Sequence, residues 1–251
     1  MRRHVLTIVL SMLAGSAAAA EIKVFCPGAV QGVVSELAQA FQQSTGHTVK
    51  FEYGTAGAVA KRVSGGERGD VAITTAANLA RLAEQGLIVA DSRRDLGEVG
   101  VAVAVRSGAP VPDVSTPDAF KRAMLGAKSV MYADPALGGQ SGIHTARVFE
   151  KLGIAEAMKP RTALRPGAPQ GLAEVARGDI EIGIGQMSEI VAAQGVQLAG
   201  PLPRELQNTL TFSAGVLASA VAQDAARAFI GLLTSSAARD KFKAAGFTLP
   251  N

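Results

Sequence analysis

The chain has 251 residues, 48% hydrophobic and 18% charged, with Lys+Arg 25 against Asp+Glu 21. A chain of this length buries a full core, and this composition excludes a disordered polymer. One cysteine excludes a disulfide framework, and one cysteine with three histidines, the first at position 4, argues against a metal centre or any metal cofactor.

The first twenty residues read as a cleavable leader. Arg2, Arg3 and His4 form a short positive start, 5–14 (VLTIVLSMLA) an apolar run, and Ala18-Ala19-Ala20 a small-residue cleavage site before Glu21. The run is too short for the roughly 20 residues that span a bilayer. Export to the periplasm is expected, and loss of Arg2 and Arg3 removes part of the +4 formal charge. The remainder has no Lys/Arg block, so no nucleic-acid partner is expected. Cys26, at the end of an apolar segment, reads as a buried small hydrophobe.

From there the pattern alternates strand and helix. A strand at 22–26 leads to a stripe of Val30, Val33, Val34, Leu37, Ala38 and Phe41, the buried face of a helix closed by Gly46. Strand 48–53, helix 58–63, strand 70–74 and helix 76–85 follow. Arg68-Gly69-Asp70 matches an adhesion tripeptide by letters only, since Asp70 begins a strand. A second run opens with strand 101–105, helix 117–125 and strand 129–132. Helix 142–152 is expected to bury Ile143, Ala146, Phe149 and Leu152. Strand 162–164, helix 168–177, strand 181–184, strand 210–218 and helices 222–233 and 237–245 complete the chain. Such order predicts an α/β fold of two lobes, each a mixed, mainly parallel sheet flanked by helices. The lobes are placed at 21–105 plus 208–251 and at 106–207, with a hinge between them.

Three strand ends run into small-residue turns that open helices: Pro27-Gly28-Ala29, Gly54-Thr55-Ala56-Gly57, and Gly138-Gly139-Gln140-Ser141-Gly142. Small residues let backbone N–H groups approach a ligand, and helix N-termini favour anions. One such turn is ordinary capping, but three in this order point to a binding cleft at the carboxyl ends of the strands.

These segments, with VFCPGA at 24–29, GTAGAVA at 54–60, GDVAIT at 69–74, ADP at 133–135, EIGIG at 181–185 and KAAGF at 243–247, resemble the molybdate-binding family of periplasmic substrate-binding proteins of ABC transporters. The resemblance covers essentially the whole chain after the leader. It implies the two-lobed type II binding fold, a membrane permease as partner and a monomeric binder of a small anion. It also implies a hydroxyl cage, from which this chain departs. Ala29 and Ala56 stand where the family places serines, and Gln186 where it places a tyrosine; Ser141 falls near the family's small contact residue. An organic acid is therefore favoured over molybdate.

The candidate ligand-binding residues are Gly28, Ala29, Thr55, Ala56, Gly57, Thr74, Gln140, Ser141, Gly142, Arg165, Ala168 and Gln186. Arg165, at a strand end, could fork a carboxylate; a solvated surface arginine is the alternative. With no Trp and only Tyr53 and Tyr132, sugars and quaternary amines are disfavoured. The run 139–143 (GQSGI) misses the G-x-S-x-G elbow, and no histidine follows His144, which argues against a serine hydrolase. The runner-up to transport is a periplasmic isomerase of a small tricarboxylate, like the aconitate isomerases built on this fold, with His144 as proton shuttle.

Overall fold

The computed structural model describes residues 19–249. Of the leader expected at 1–20, residues 1–18 lie outside the described residues. In chain order the elements are β1 (Glu21–Pro27), α1 (Gly28–Thr45), β2 (Thr48–Gly54), α2 (Ala56–Ser64), β3 (Val71–Thr75), α3 (Ala76–Glu84) and β4 (Arg94–Arg106). They continue with α4 (Pro117–Gly126), β5 (Val130–Ala133), α5 (Gln140–Lys151), α6 (Ala155–Met158), β6 (Thr162–Arg165), α7 (Ala168–Arg177) and β7 (Ile182–Gln186). The last are α8 (Met187–Ala192), β8 (Val196–Pro201), β9 (Thr209–Val216), α9 (Gln223–Leu233) and α10 (Ser236–Ala244).

Two bodies share one long strand. In the first, parallel β2, β1 and β3 are extended by antiparallel β9, which pairs the early half of β4. In the second, parallel β6, β5 and β7 are extended by the late half of β4, which also carries β8. β4 changes partners between Gly100, opposite Thr209, and Val101, opposite Gln186. The start of β4 lies seven residues upstream of the expected strand at 101–105. Gly97 and a bulge between Asp95 and Gly97 interrupt the alternation there, so periodicity reveals only the apolar half.

Each body has its own core. Val24, Val30, Val34, Leu37, Phe41, Phe212 and Phe229 anchor one face of the first sheet, and Phe25, Val59, Leu79 and Leu217 the other. Phe120, Met124, Tyr132, Phe149 and Ile184 anchor the second body. Each such side chain contributes on the order of 1.5–3 kcal/mol of apolar transfer. Cys26 is fully buried in the first core, where burial pushes its thiol pKa up. Asp70, the expected start of a strand, lies one residue before β3 and is buried as a tie. Its carboxylate accepts the N–H groups of Lys23, Val221 and Ala222.

Helix α5 corrects one expected face. It buries Ser141, Gly142, Thr145, Val148 and Phe149, while Ile143, Ala146 and Leu152 are only partly covered. The close approach of Gly142 to β5 sets this rotation: a Cβ there would lie 1.6 Å from the carbonyl oxygen of Ala133.

Candidate functional site

The strand registers bring the turns together. Pro27 pairs with Gly54, so the starts of α1 and α2 lie side by side at one sheet end. Ala133 pairs with Arg165, which sets the turn before α5 beside the turn before α7. Between the two bodies these turns enclose a cavity of ≈ 370 Å³. The first body lines it with Gly28, Ala29, Tyr53, Thr55, Ala56 and Phe212, the second with Gly139, Gln140, Ser141, Ala168, Gln186 and Glu189.

Three helices begin at this wall without a side chain on their free N–H groups. Pro27 before α1, Gly139 before α5 and Gly167 before α7 make no side-chain cap. Helix α2 differs, because Thr55 Oγ1 accepts the N–H of Ala58 at 3.0 Å. Uncapped donors at a helix start carry partial positive charge and need an acceptor.

Gln186 is the polar group of the site that stands out. It is 3% exposed and stands in a capping-box arrangement with the Glu189 N–H, yet neither Nε2 nor Oε1 reaches a full hydrogen-bond partner. Leaving such an amide unpaired costs on the order of 1–3 kcal/mol per group. Three residues on, Glu189 returns its carboxylate to the same turn, where Oε2 accepts the Gln186 N–H at 3.0 Å. Its other oxygen faces α1: a Cβ on Gly28 would lie 2.6 Å from Glu189 Oε1. Burial pushes the Glu189 carboxyl up to about 7, against a smaller lowering by the Gln186 N–H.

Eight of the candidate residues named above line the cavity: Gly28, Ala29, Thr55, Ala56, Gln140, Ser141, Ala168 and Gln186. Thr74 lies beneath it, with its hydroxyl donating to the Ala56 carbonyl at 2.8 Å to hold the start of α2. Gly57 and Gly142 are packing positions, against Gly138 and Ala133 respectively. Arg165 does not line the cavity. Its guanidinium already forks Glu174, with Nε to Oε1 at 2.8 Å and Nη2 to Oε2 at 2.6 Å, and holds that carboxyl below its usual range. His144 also lies outside the lining, with Nε2 2.6 Å from the Leu206 carbonyl oxygen.

Glu189 is the residue that sequence reasoning passed over. Its only signal is the spacing Gln186-x-x-Glu189, which reads equally as a capping box. Among the described residues, Tyr53 and Glu189 are the only titratable side chains that line the cavity, and no Lys, Arg or His does. No group of three or more His, Cys, Asp or Glu side chains that could hold a metal occurs among them. No described helix is long and apolar enough to cross a membrane.

The two bodies touch on both flanks of the cavity. On one side Thr55 Oγ1 donates to the Leu137 carbonyl at 2.5 Å and the Gly57 N–H to the Gly138 carbonyl at 3.3 Å. On the other, Ser188 Oγ donates to the Ala29 carbonyl at 2.6 Å.

Comparison with known proteins agrees with this architecture. An aconitate isomerase from Pseudomonas sp is 32% identical over 233 residues, covering 90% of this chain and 86% of the relative. The molybdate-binding protein of Escherichia coli (strain K12) is 23% identical over 241 residues, covering 94% and 93%. The solved periplasmic molybdate-binding protein of Azotobacter vinelandii superimposes with a TM-score of 0.77 at 21% identity, covering 92% of this chain and 100% of that one. The fold is the two-lobed type II binding architecture, in a form divergent in sequence from the molybdate binders. With the model for bacterial extracellular solute-binding proteins matching residues 22–248, the chain belongs to that family.

Proposed function

We propose that this chain is the periplasmic solute receptor of an ABC transporter and holds a small organic anion in the cavity between its lobes. The lobes follow the bounds expected from sequence except that β4 passes from one body to the other at Gly100–Val101, five residues before 105, and closure is a hinge movement about the strands that join them. The observation that carries the reading is the Gln186 amide, buried and unpartnered beside the uncapped helix starts. Backbone N–H groups of α1, α5 and α7 take the negative charge, and the amide offers both a donor and an acceptor. Gln186 Nε2 can donate to any such anion, and a hydroxylated organic acid in addition supplies a donor to Oε1 that a bare tetrahedral oxyanion lacks. Ala29 and Ala56 leave room where hydroxyls would grip a compact oxyanion.

A thermal-shift panel of oxyanions and carboxylates tests this, because a ligand that binds only the native state raises Tm. Organic acids should give the larger shifts. A shift with molybdate or tungstate alone would restore the oxyanion reading, and no shift with any anion would remove the binding role. Export is tested by N-terminal sequencing of periplasmic protein, expected to begin at Glu21. The expected partner is a membrane permease, contacted by a monomer.

A second reading, isomerisation of a small tricarboxylate, is favoured by the 32% identity to an aconitate isomerase. That chemistry needs a group that removes a proton from bound substrate and returns it elsewhere. Incubation with trans-aconitate, followed by NMR for the cis isomer, separates turnover from binding alone.

A further inference from the structure

We propose that Glu189 is the proton-bearing contact of the site: as a neutral carboxylic acid it donates a hydrogen bond to a carboxylate of the bound organic anion, so above neutrality the chain takes up one proton with its ligand and gives it back on release. The inference rests on the organic-anion reading above and adds the group that makes such an anion acceptable.

The geometry carries it. Glu189 Oε2 is occupied by the Gln186 N–H, while Oε1 abuts the start of α1 at Gly28. That helix start is also where an anion would sit. An ionised Glu189 and a bound carboxylate would then share one patch of positive potential, with no Lys, Arg or His lining the cavity to separate them. Like charges facing one another across a partly enclosed site disfavour the doubly ionised state, and protonation of Glu189 relieves it. The unpartnered Gln186 amide on the same turn is an independent sign that this wall contacts a ligand.

The surroundings offer no compensating charge. Helix α8 packs on α1, α7, β4, β7 and β8. β7 and β8 hold no titratable side chain, and α1 holds only Glu36, which pairs with Lys241. On α7, Glu174 is engaged by Arg165 and Arg177 by Asp179. On β4, Asp95 pairs with Arg93, Glu98 accepts from Thr211, Arg94 bonds backbone carbonyls at the strand's outer end, and Arg106 lies at its far end beside Gly178. Burial alone therefore dominates, and it favours the protonated acid up to about neutrality. Above neutrality the ligand-free protein must first recover the proton, so affinity falls with rising pH. Above neutrality the proton balance is one taken from solvent on binding and one returned on release; below it the ligand-free acid already holds that proton and none is exchanged.

Calorimetric titration with trans-aconitate at pH 7.5 and pH 9, each in two buffers of different ionisation enthalpy, tests the inference. If trans-aconitate is not bound, the carboxylate with the largest thermal shift takes its place. The expected result is affinity falling roughly tenfold per pH unit, with close to one proton taken up per ligand. Glu189→Gln carries a permanent donor and cannot titrate. It should show no proton uptake and a pH-independent affinity that exceeds wild type at pH 9. Equal wild-type affinities at the two pH values, or a pH dependence that survives in Glu189→Gln, would overturn the inference while leaving organic-anion binding intact. Absence of binding by every carboxylate would overturn the proposed function instead. A ligand-free readout is independent of both: the infrared carbonyl band of a protonated carboxyl at pH 6.5 should vanish in Glu189→Gln. Its absence from wild type would also overturn the inference.

Discussion

Gly57 and Gly138 meet backbone to backbone across the two bodies. A Cβ on Gly57 would lie 2.8 Å from Gly138 Cα and 2.9 Å from its carbonyl oxygen, and a Cβ on Gly138 would lie 2.8 Å from Gly57 Cα. The Gly57 N–H donates to the Gly138 carbonyl at 3.3 Å, and Thr55 Oγ1 reaches Leu137 beside it. Contact this close is possible only between glycines, and it closes one flank of the cavity.

Gly57→Ala is therefore expected to hold the bodies apart without entering the cavity. Gly57 sits in the first turn of α2, where alanine has the higher helix propensity, so the helix itself does not suffer. The radius of gyration by small-angle scattering should rise in the presence of ligand, and affinity should fall at least tenfold. A variant that closes and binds like wild type would show that this glycine pair is not part of the clamp. Gly138 is the poorer test site, because its φ of +73° strains any side chain.

Replacing Gln186 should produce effects of opposite sign on stability and binding. Leucine at this position removes two buried polar atoms that have no partner in the ligand-free protein. Gln186→Leu is expected to stabilise that form by about 1–2 kcal/mol, the cost of an unsatisfied buried group. Ligand affinity should fall by a similar or larger amount, since the amide no longer pairs. Urea denaturation without ligand, alongside the thermal shift with it, reads both signs. A variant destabilised in the ligand-free state would mean that the amide is structural.

Much of this molecule was legible before any coordinates. The apolar stripe from Val30 to Phe41 forms the buried face of α1, and Gly46 ends that helix in the left-handed conformation. The turns at Gly28 and Thr55 were recognisable because small residues directly follow apolar strands, a local pattern. What stayed hidden is relational. Arg165 looks like a ligand fork until α7 places Glu174 against it, nine residues on. His144 looks like a shuttle until the α5 rotation, set by Gly142 against Ala133, directs it to Leu206. Glu189 was invisible because a short helix start after Gln186 has no periodicity of its own, and its position opposite Gly28 depends on the docking of the two bodies.

Arg165→Ala is expected to leave ligand affinity within twofold and to cost at most about 1 kcal/mol of stability. Its side chain and that of Glu174 are 31% and 23% exposed, and partly exposed ion pairs are worth little. Calorimetry on the variant checks the first point and chemical denaturation the second. A loss of roughly 1.5–3 kcal/mol in binding would mean that the guanidinium leaves Glu174 for the ligand's carboxylate.

The ligand-free protein should lose stability as pH rises from about 5 to 7 and then level off, because of Glu189. Its carboxyl is raised from 4.5 to about 7 by folding. Between those values the native state holds a proton that the unfolded chain has released, so each step upward in pH favours unfolding. Above about 7 both states are ionised at this residue and its contribution is constant. The full amplitude is on the order of 3 kcal/mol from the size of the shift. Urea denaturation at pH 5, 6, 7 and 8 measures it. The comparison with Glu189→Gln isolates it, since glutamine keeps an oxygen for the Gln186 N–H but has no proton to lose. The difference in stability between variant and wild type should grow from pH 5 to 7 in favour of the variant. A constant difference across that range would place the Glu189 carboxyl at its ordinary acidity, ionised within the cavity beside the start of α1.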